Sequence, residues 1–390
     1  MSGWENPAGG RRRARWVLPV ILLLLAVTAL ILVARVRSGG PTGALEISRT
    51  AVRPTAGART SYSWRPPPPG TWQVLPPAPL ASRVNYTVTW TGSEMIVWGG
   101  FDALNRPKLD GASFDPARGR WRALPAAPAA NASATAVLAG RDVVFVSSSE
   151  TWRFDPTGRR WSAGPALPVP EGHTIDDNLV AAGRIVLAVT EPHDRQRPSA
   201  LFALRPGVPR WQRLPDVPVT MTGGHAILTA GSRMLVYGPP VDDQPAAVAL
   251  DLDVASPTWR PLAAPPDLDG QDLLTLVGVA AGDRIMLWGA RADARDGYAA
   301  VWEAGRWRSV DPGPLRPSRA VDAMWTGGRM LVWDRLTNRG ALLDPRTDRW
   351  ARVPNPPVVG LDLAREAVWT GSGLLVWGAL GTGGALYTPE

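Results

Sequence analysis

The chain has 390 residues, no cysteine, and 42 basic against 34 acidic side chains. Forty Gly and 40 Pro exclude a helical bundle, while 45% hydrophobic residues and 19 Trp exclude a disordered chain. Without cysteine there are no disulfides, thiolate metal sites, cysteine nucleophiles or lipid-modified cysteines to consider. Lys108 is the single lysine beside 41 Arg. This bias, with abundant Ala, Gly and Pro, fits a GC-rich bacterial source.

The positive charge is local. Residues 1–70 carry ten Arg against Glu5 and Glu46, so residues 71–390 balance to zero. The bulk of the chain therefore lacks the electrostatic footprint of a nucleic-acid-binding surface.

Residues 16–34 read WVLPVILLLLAVTALILVA, 19 residues without a charge. At about 1.5 Å per residue this predicts a helix that spans a hydrocarbon core of about 30 Å. Arg11, Arg12, Arg13 and Arg15 precede it, and only Arg35 and Arg37 follow closely. That excess places residues 1–15 in the cytoplasm as a basic tail and the C-terminal bulk outside the cell membrane. A cleaved signal peptide is the rival reading. Its apolar region would be about 7–15 residues, and Ala34-Arg35-Val36-Arg37 is a poor cleavage site. Residues 35–70 are rich in Gly, Pro, Ser, Thr and Arg and end in Arg65-Pro66-Pro67-Pro68-Pro69-Gly70. They read as a linker, stiffened at its end as polyproline II.

From residue 71 the chain repeats itself. One element is a Trp strand with a Pro-rich exit, at Trp72, Trp121, Trp161, Trp211, Trp259, Trp307 and Trp350. A second is a hairpin turning at Gly92, Gly140, Gly183, Gly231, Gly282, Gly327 and Gly371; WTGSEMIVWGG (90–100), WTGGRMLVWD (325–334) and WTGSGLLVWGA (369–379) are its clearest copies. A third is a strand running into a tight turn, as in SFDP (113–116), RFDP (153–156) and LLDP (342–345). Four strands in 40–50 residues make one propeller blade. Seven hairpins and seven third strands are present, but the first Trp strand precedes every hairpin. Trp72–Leu75 is thus expected to supply the outer strand of the seventh blade and close the ring, leaving no open edge.

The pattern resembles Kelch repeats, as in Kelch-containing and galactose-oxidase-like propellers. Gly99-Gly100, Phe114-Asp115-Pro116 and Trp121 carry the closest likeness. The resemblance covers residues 71–390 and implies an all-β, seven-bladed β-propeller. Galactose oxidase itself needs a Tyr–Cys cofactor and copper, so the missing cysteine excludes that activity.

The Trp residues recur in every blade and read as inter-blade packing. The Asp of each Asp-Pro turn reads as an acceptor for its own turn amides. His173, His193 and His225 lack metal-ligand spacing, and neither a metal site nor a cofactor is expected. Phosphate loops and nucleophile elbows are absent from the sequence.

Function in a repeating ring should sit on residues that do not repeat. Counting back from each turn Gly aligns Thr87, Thr135, Asn178, Ala226, Val277, Asp322 and Glu366 at one level of the innermost strands. The residues just before them include Tyr86, Asp176, Asp177, His225 and Arg365; the preceding loops add Arg83 and Arg319. One end of the channel should therefore collect Arg83, Asp176, Asp177, His225, Arg319, Asp322, Arg365 and Glu366 as ligand-binding candidates. Asp322 and Glu366, in adjacent blades, are the candidates for an acid/base pair. The leading expectation is a membrane-anchored extracytoplasmic module that binds a protein or glycan. The alternative is an extracytoplasmic carbohydrate-active enzyme, resembling Kelch-type epimerases, with its site at the channel mouth.

Overall fold

The computed structural model describes residues 64–390 apart from 129–132, 195–196, 220, 222–223, 239–244, 267, 269–272, 292–296, 358–365 and 379–382. The expected membrane helix at 16–34 lies outside the described residues, and no helix among those described is long and apolar enough to cross a membrane.

The chain forms seven antiparallel four-stranded sheets. Their innermost strands are Thr87–Trp90, Thr135–Ala139, His173–Ala182, Ala226–Ala230, Leu273–Ala281, Val321–Trp325 and Glu366–Trp369 for blades 1 to 7. Each inner strand neighbours that of the next blade, and the seventh neighbours the first. The Trp72 strand, Thr71–Val74, pairs antiparallel with Gly384–Thr388 and completes blade 7. The expected closure and blade count are both present.

Local sequence explains the blade. All seven turn glycines have positive φ, from 59° at Gly231 to 96° at Gly92. In the Trp-Thr-Gly copies, the hydroxyls of Thr91, Thr326 and Thr370 accept from the amides of Glu94, Arg329 and Gly373 across the turn. The Asp carboxylates behave as expected: Asp155 Oδ1 accepts from the amides of Thr157 and Gly158 at 3.0 and 2.9 Å. Asp115 and Asp344 do the same in their own turns.

The second strand of each blade is a nearly unbroken apolar run because both faces of the sheet are covered. In blade 6, Met330 and Val332 pack toward blade 5, while Leu331 and Trp333 pack toward blade 7. The core is therefore a set of apolar layers between neighbouring blades, one for each of the seven interfaces. Each outer-strand indole N–H reaches back to the preceding blade. It donates to the carbonyl of the residue four positions after that blade's own Trp: Trp121 to Pro76, Trp161 to Pro125, Trp211 to Pro165 and Trp259 to Pro215. Trp307 to Ala263, Trp350 to Asp311 and Trp72 to Pro354 complete the circle.

Residues 64–70, expected as the end of the linker, lie against the propeller. The Trp64 ring meets Phe114 edge-on at 5.5 Å, and its N–H donates to the Pro116 carbonyl at 2.6 Å. Its partners belong to the Asp-Pro turn of blade 1. Strand direction puts that turn, with all the hairpin glycines, on the face opposite the one where inner strands begin.

Candidate functional site

A cavity of about 890 Å³ opens where the inner strands begin. Six of the seven residues aligned by counting back from the turn Gly lie on its wall: Thr87, Thr135, Ala226, Val277, Asp322 and Glu366. The seventh, Asn178, is on the inner strand of blade 3, with Asp176 and Asp177. There Ile175 pairs with Thr190 and Leu179 with Ala188, so three residues of the inner strand face one of its neighbour. The side chains of these three lie outside the described set, as does the whole of Arg365.

The wall has three arcs. Blades 6 and 7 supply the charges Asp322, Arg335 and Glu366. Blades 1 and 2 supply hydroxyl and amide groups, among them Asn85, Thr87, Ser133, Thr135, Ser147 and Ser148. The described part of blades 3 to 5 is apolar apart from His225, with Ile175, Leu179, Leu228, Leu276 and Val277 facing the space. Adjacent blades are tied at the wall: the Thr87 hydroxyl donates to the Ala134 carbonyl, and the Tyr86 hydroxyl donates to the Trp377 carbonyl at 2.8 Å.

Arg335 organises the charged arc. Its Nη1 donates to both oxygens of Glu366, at 2.9 and 3.1 Å, and its Nε lies 3.5 Å from Asp322 Oδ2. The three side chains keep between 22% and 32% of their surface exposed. They are wet enough to meet a ligand and sheltered enough for their charges to matter.

Sequence reasoning missed Arg335, although a signal existed. After the aromatic of the second strand, blades 1, 4, 5 and 7 continue with Gly99, Gly238, Gly289 and Gly378; blade 6 continues with Asp334-Arg335. Asp334 is buried at 3% exposure, where it accepts from Ser318 Oγ at 3.0 Å and from the amide of Leu336 at 3.0 Å. This fixes the turn, while the Arg335 amide bonds to the Ala320 carbonyl at 2.8 Å beside the inner strand. The departure from the repeat is what places the guanidinium.

Two expected site residues are off the wall. Arg83 is fully buried in blade 1, where its guanidinium donates to the carbonyls of Ala81, Gly99 and Asp110 and pairs with the Asp110 carboxylate at 3.1 Å. It clamps the loop between the second and third strands. Arg319 is exposed and does not border the cavity. His173 bonds through Nδ1 to Thr190, beyond the wall. Among the described residues, no group of three or more His, Asp or Glu is placed to hold a metal ion.

Fold and site together define a seven-bladed β-propeller with a polar cavity at one end of its axis. No family model matches the chain, and no curated protein sequence matches it. Solved structures do. An oligogalacturonate lyase in complex with manganese aligns with a TM-score of 0.55 at 11% identity, covering 83% of this chain and 92% of that one. The structure of YjhT aligns with a TM-score of 0.47 at 13% identity, covering 71% of this chain and 99% of that one. At such identities the likeness is one of fold.

Proposed function

We propose that this chain is a membrane-anchored, extracytoplasmic, Kelch-like propeller that binds a glycan in its axial cavity. The observation that carries the reading is the cavity wall itself. At one level of the inner strands the described positions are Thr87, Thr135, Ala226, Val277, Asp322 and Glu366, so what would be scaffold in a strict repeat combines charges, hydroxyls and apolar surface here. A concave space of this size with a few converging polar groups is what a small polar ligand needs. The apolar run at 16–34, with its Arg-rich flank, supports the anchor and the outward orientation.

Arg335 pairs with both Asp322 and Glu366, so the charged arc is a held ion-pair cluster that presents hydrogen-bonding groups to a ligand. The second reading, an extracytoplasmic carbohydrate-active enzyme, would use the same two carboxylates as its acid/base pair.

Residues Ser63–Glu390 form one compact unit, and that unit can be screened on a glycan array. The expected result is a defined set of glycans whose binding is lost in the Asp322→Asn, Glu366→Gln double variant. Binding that survives this change, in a variant that melts like the parent, would place the ligand elsewhere. Turnover of a bound glycan by the parent would favour the enzyme.

A further inference from the structure

We infer that the ligand of the axial cavity is an oligosaccharide bound by one end, whose following units leave the cavity over blade 2. This deepens the glycan reading and rests on it. Among the described residues, inner strands and the residues just before them make nearly all of the wall. Only two blades line it with chain beyond the inner strand: blade 6 with Arg335, and blade 2 with Val146, Ser147 and Ser148. At blade 2 the space thus runs outward past Ala134 and Ala136 to the turn that joins the second strand, Asp142–Ser147, to the third, Glu150–Asp155.

Strand register puts the lowest part of the rim at the same place. In blade 2 the wall residue Thr135 pairs with Val146, and Val146 with Thr151, which leaves residues 147–150 to turn the chain. The same pairing from the wall residue leaves 334–339 in blade 6 and 378–383 in blade 7. It leaves 99–110 in blade 1, 238–246 in blade 4 and 289–298 in blade 5. In blade 3 the inner strand itself continues upward to His173, which pairs with Pro192. Blade 2 therefore has the least chain with which to raise a rim.

The chemistry of this turn suits a sugar chain. It reads Ser147-Ser148-Ser149-Glu150, and the last three are exposed. Ser147 is 3% exposed, and its Oγ has no hydrogen-bond partner among the described residues. A buried hydroxyl of this kind at the step between cavity and turn points to a hydroxylated ligand. Ser148 holds a φ of 51°, a region where Gly would be less strained. Strain of that kind persists where the side chain has a use. Inside the cavity, Asn85 and Thr135 continue the same polar line. An oligosaccharide leaving over blade 2 would find hydrogen-bonding groups from the wall to the outside.

The test is titration calorimetry on the full chain in detergent, with the one-, two- and four-unit members of the N-acetylglucosamine, mannose and galacturonate series as probes. In the series that binds, affinity should rise at least about tenfold from one unit to four, as one or two added hydrogen bonds would give. Ser149→Trp, which fills the turn of blade 2, should remove that gain and leave the one-unit member unchanged. Glu150→Trp, one residue along the same turn, is an independent block, and thermal unfolding checks that each variant folds. Leu336→Trp, on the corresponding turn of blade 6, should leave the whole series unchanged. A gain that survives both blade 2 variants, a gain removed by Leu336→Trp, or affinity that does not rise with length would overturn the exit over blade 2. If the cavity-filling Val277→Trp still blocks binding, each of these outcomes leaves the cavity as the glycan site. Binding indifferent to Val277→Trp, or absent for all three series, would overturn both.

Discussion

The indole N–H of Trp72 donates to the carbonyl of Pro354 at 2.7 Å, between residues 282 positions apart in the chain. It is the closing member of a circle of seven such bonds, each joining the Trp of one blade to the fourth residue after the Trp of the blade before. The motif Trp-x-x-x-Pro thus has a physical meaning. Pro fixes φ and has no N–H to satisfy, so it follows the end of the strand in four blades and interrupts the ladder of Gln212–Val217 in blade 3, each time leaving its carbonyl for the next blade's indole. Ala263 and Asp311 serve in the two blades without Pro, since only the carbonyl is used.

Removing this bond should loosen the ring at its seam. Trp72→Phe keeps most of the contact with Trp333 and Tyr387 and should cost about 1 kcal/mol, the worth of one neutral hydrogen bond. Trp72→Ala should cost about 2–4 kcal/mol, because the aromatic packing goes as well. Deleting residues 71–77 should uncover the edge of Gly384–Thr388 and cause aggregation or loss of cooperative unfolding. Urea denaturation and light scattering measure these outcomes; a deletion variant as stable as the parent would show that the seam does not close the ring.

Acid should weaken the outer turns in a defined direction. The Gly158 amide bond, with help from the Thr157 amide and nearby Arg141 and Arg160, holds the Asp155 carboxyl below the usual range. The Arg346 amide and side chain do the same for Asp344. A folded-state pKa below the unfolded value gives stability that is fully present above about pH 4 and is lost as the pH falls through the folded value. The melting temperature should therefore drop steeply below about pH 4. In an Asp155→Asn, Asp344→Asn variant the drop should be shallower, because the amide oxygen still accepts from the turn but no longer titrates. An unchanged acid slope in that variant would mean that other carboxylates govern the transition.

The fold was legible in the sequence because each blade carries its own punctuation. Gly92 and its six counterparts need positive φ, the Asp-Pro turns need a short acceptor, and the Trp strands need an indole. All of these are local demands, and they recur often enough to be counted. Asp322 and Glu366 were legible for the opposite reason, as charges at a level where a scaffold residue would serve. Arg83 was not, because its partners Gly99 and Asp110 belong to a loop whose path no local pattern specifies. Without that path a buried loop clamp looks like a residue of the channel mouth. Arg335 sits beyond the strand that was aligned, so its position on the wall depends on how Asp334 caps a turn.

The Arg335 bridge should show itself in stability before any ligand is known. Arg335→Met retains the apolar stem and removes the charge, leaving Asp322 and Glu366 in adjacent blades without their shared cation. Breaking such a pair in a partly exposed arc should cost about 1–3 kcal/mol, below the value for full burial. Glu366→Gln on that background should recover much of the loss, since the repulsion disappears with the charge. A double-mutant cycle by urea denaturation reads the coupling directly. Additive effects of the two substitutions would mean that the bridge carries no stability.

The last prediction concerns the side of the membrane on which the cavity lies. Arg11, Arg12, Arg13 and Arg15 before the apolar run, against Arg35 and Arg37 close after it, motivate a cytoplasmic N-terminus. The chain has no cysteine, so any introduced thiol is a clean reporter. Leu336, 47% exposed beside Arg335 at the cavity mouth, is a suitable position on the propeller. Ser2 precedes the Arg cluster on the other side of the apolar run. A membrane-impermeant maleimide should label Leu336→Cys in intact spheroplasts and should label Ser2→Cys only after the membrane is permeabilised. Added protease should likewise digest the propeller without lysis. Labelling of Ser2→Cys in intact spheroplasts, with Leu336→Cys protected, would invert the topology and with it the extracytoplasmic glycan reading.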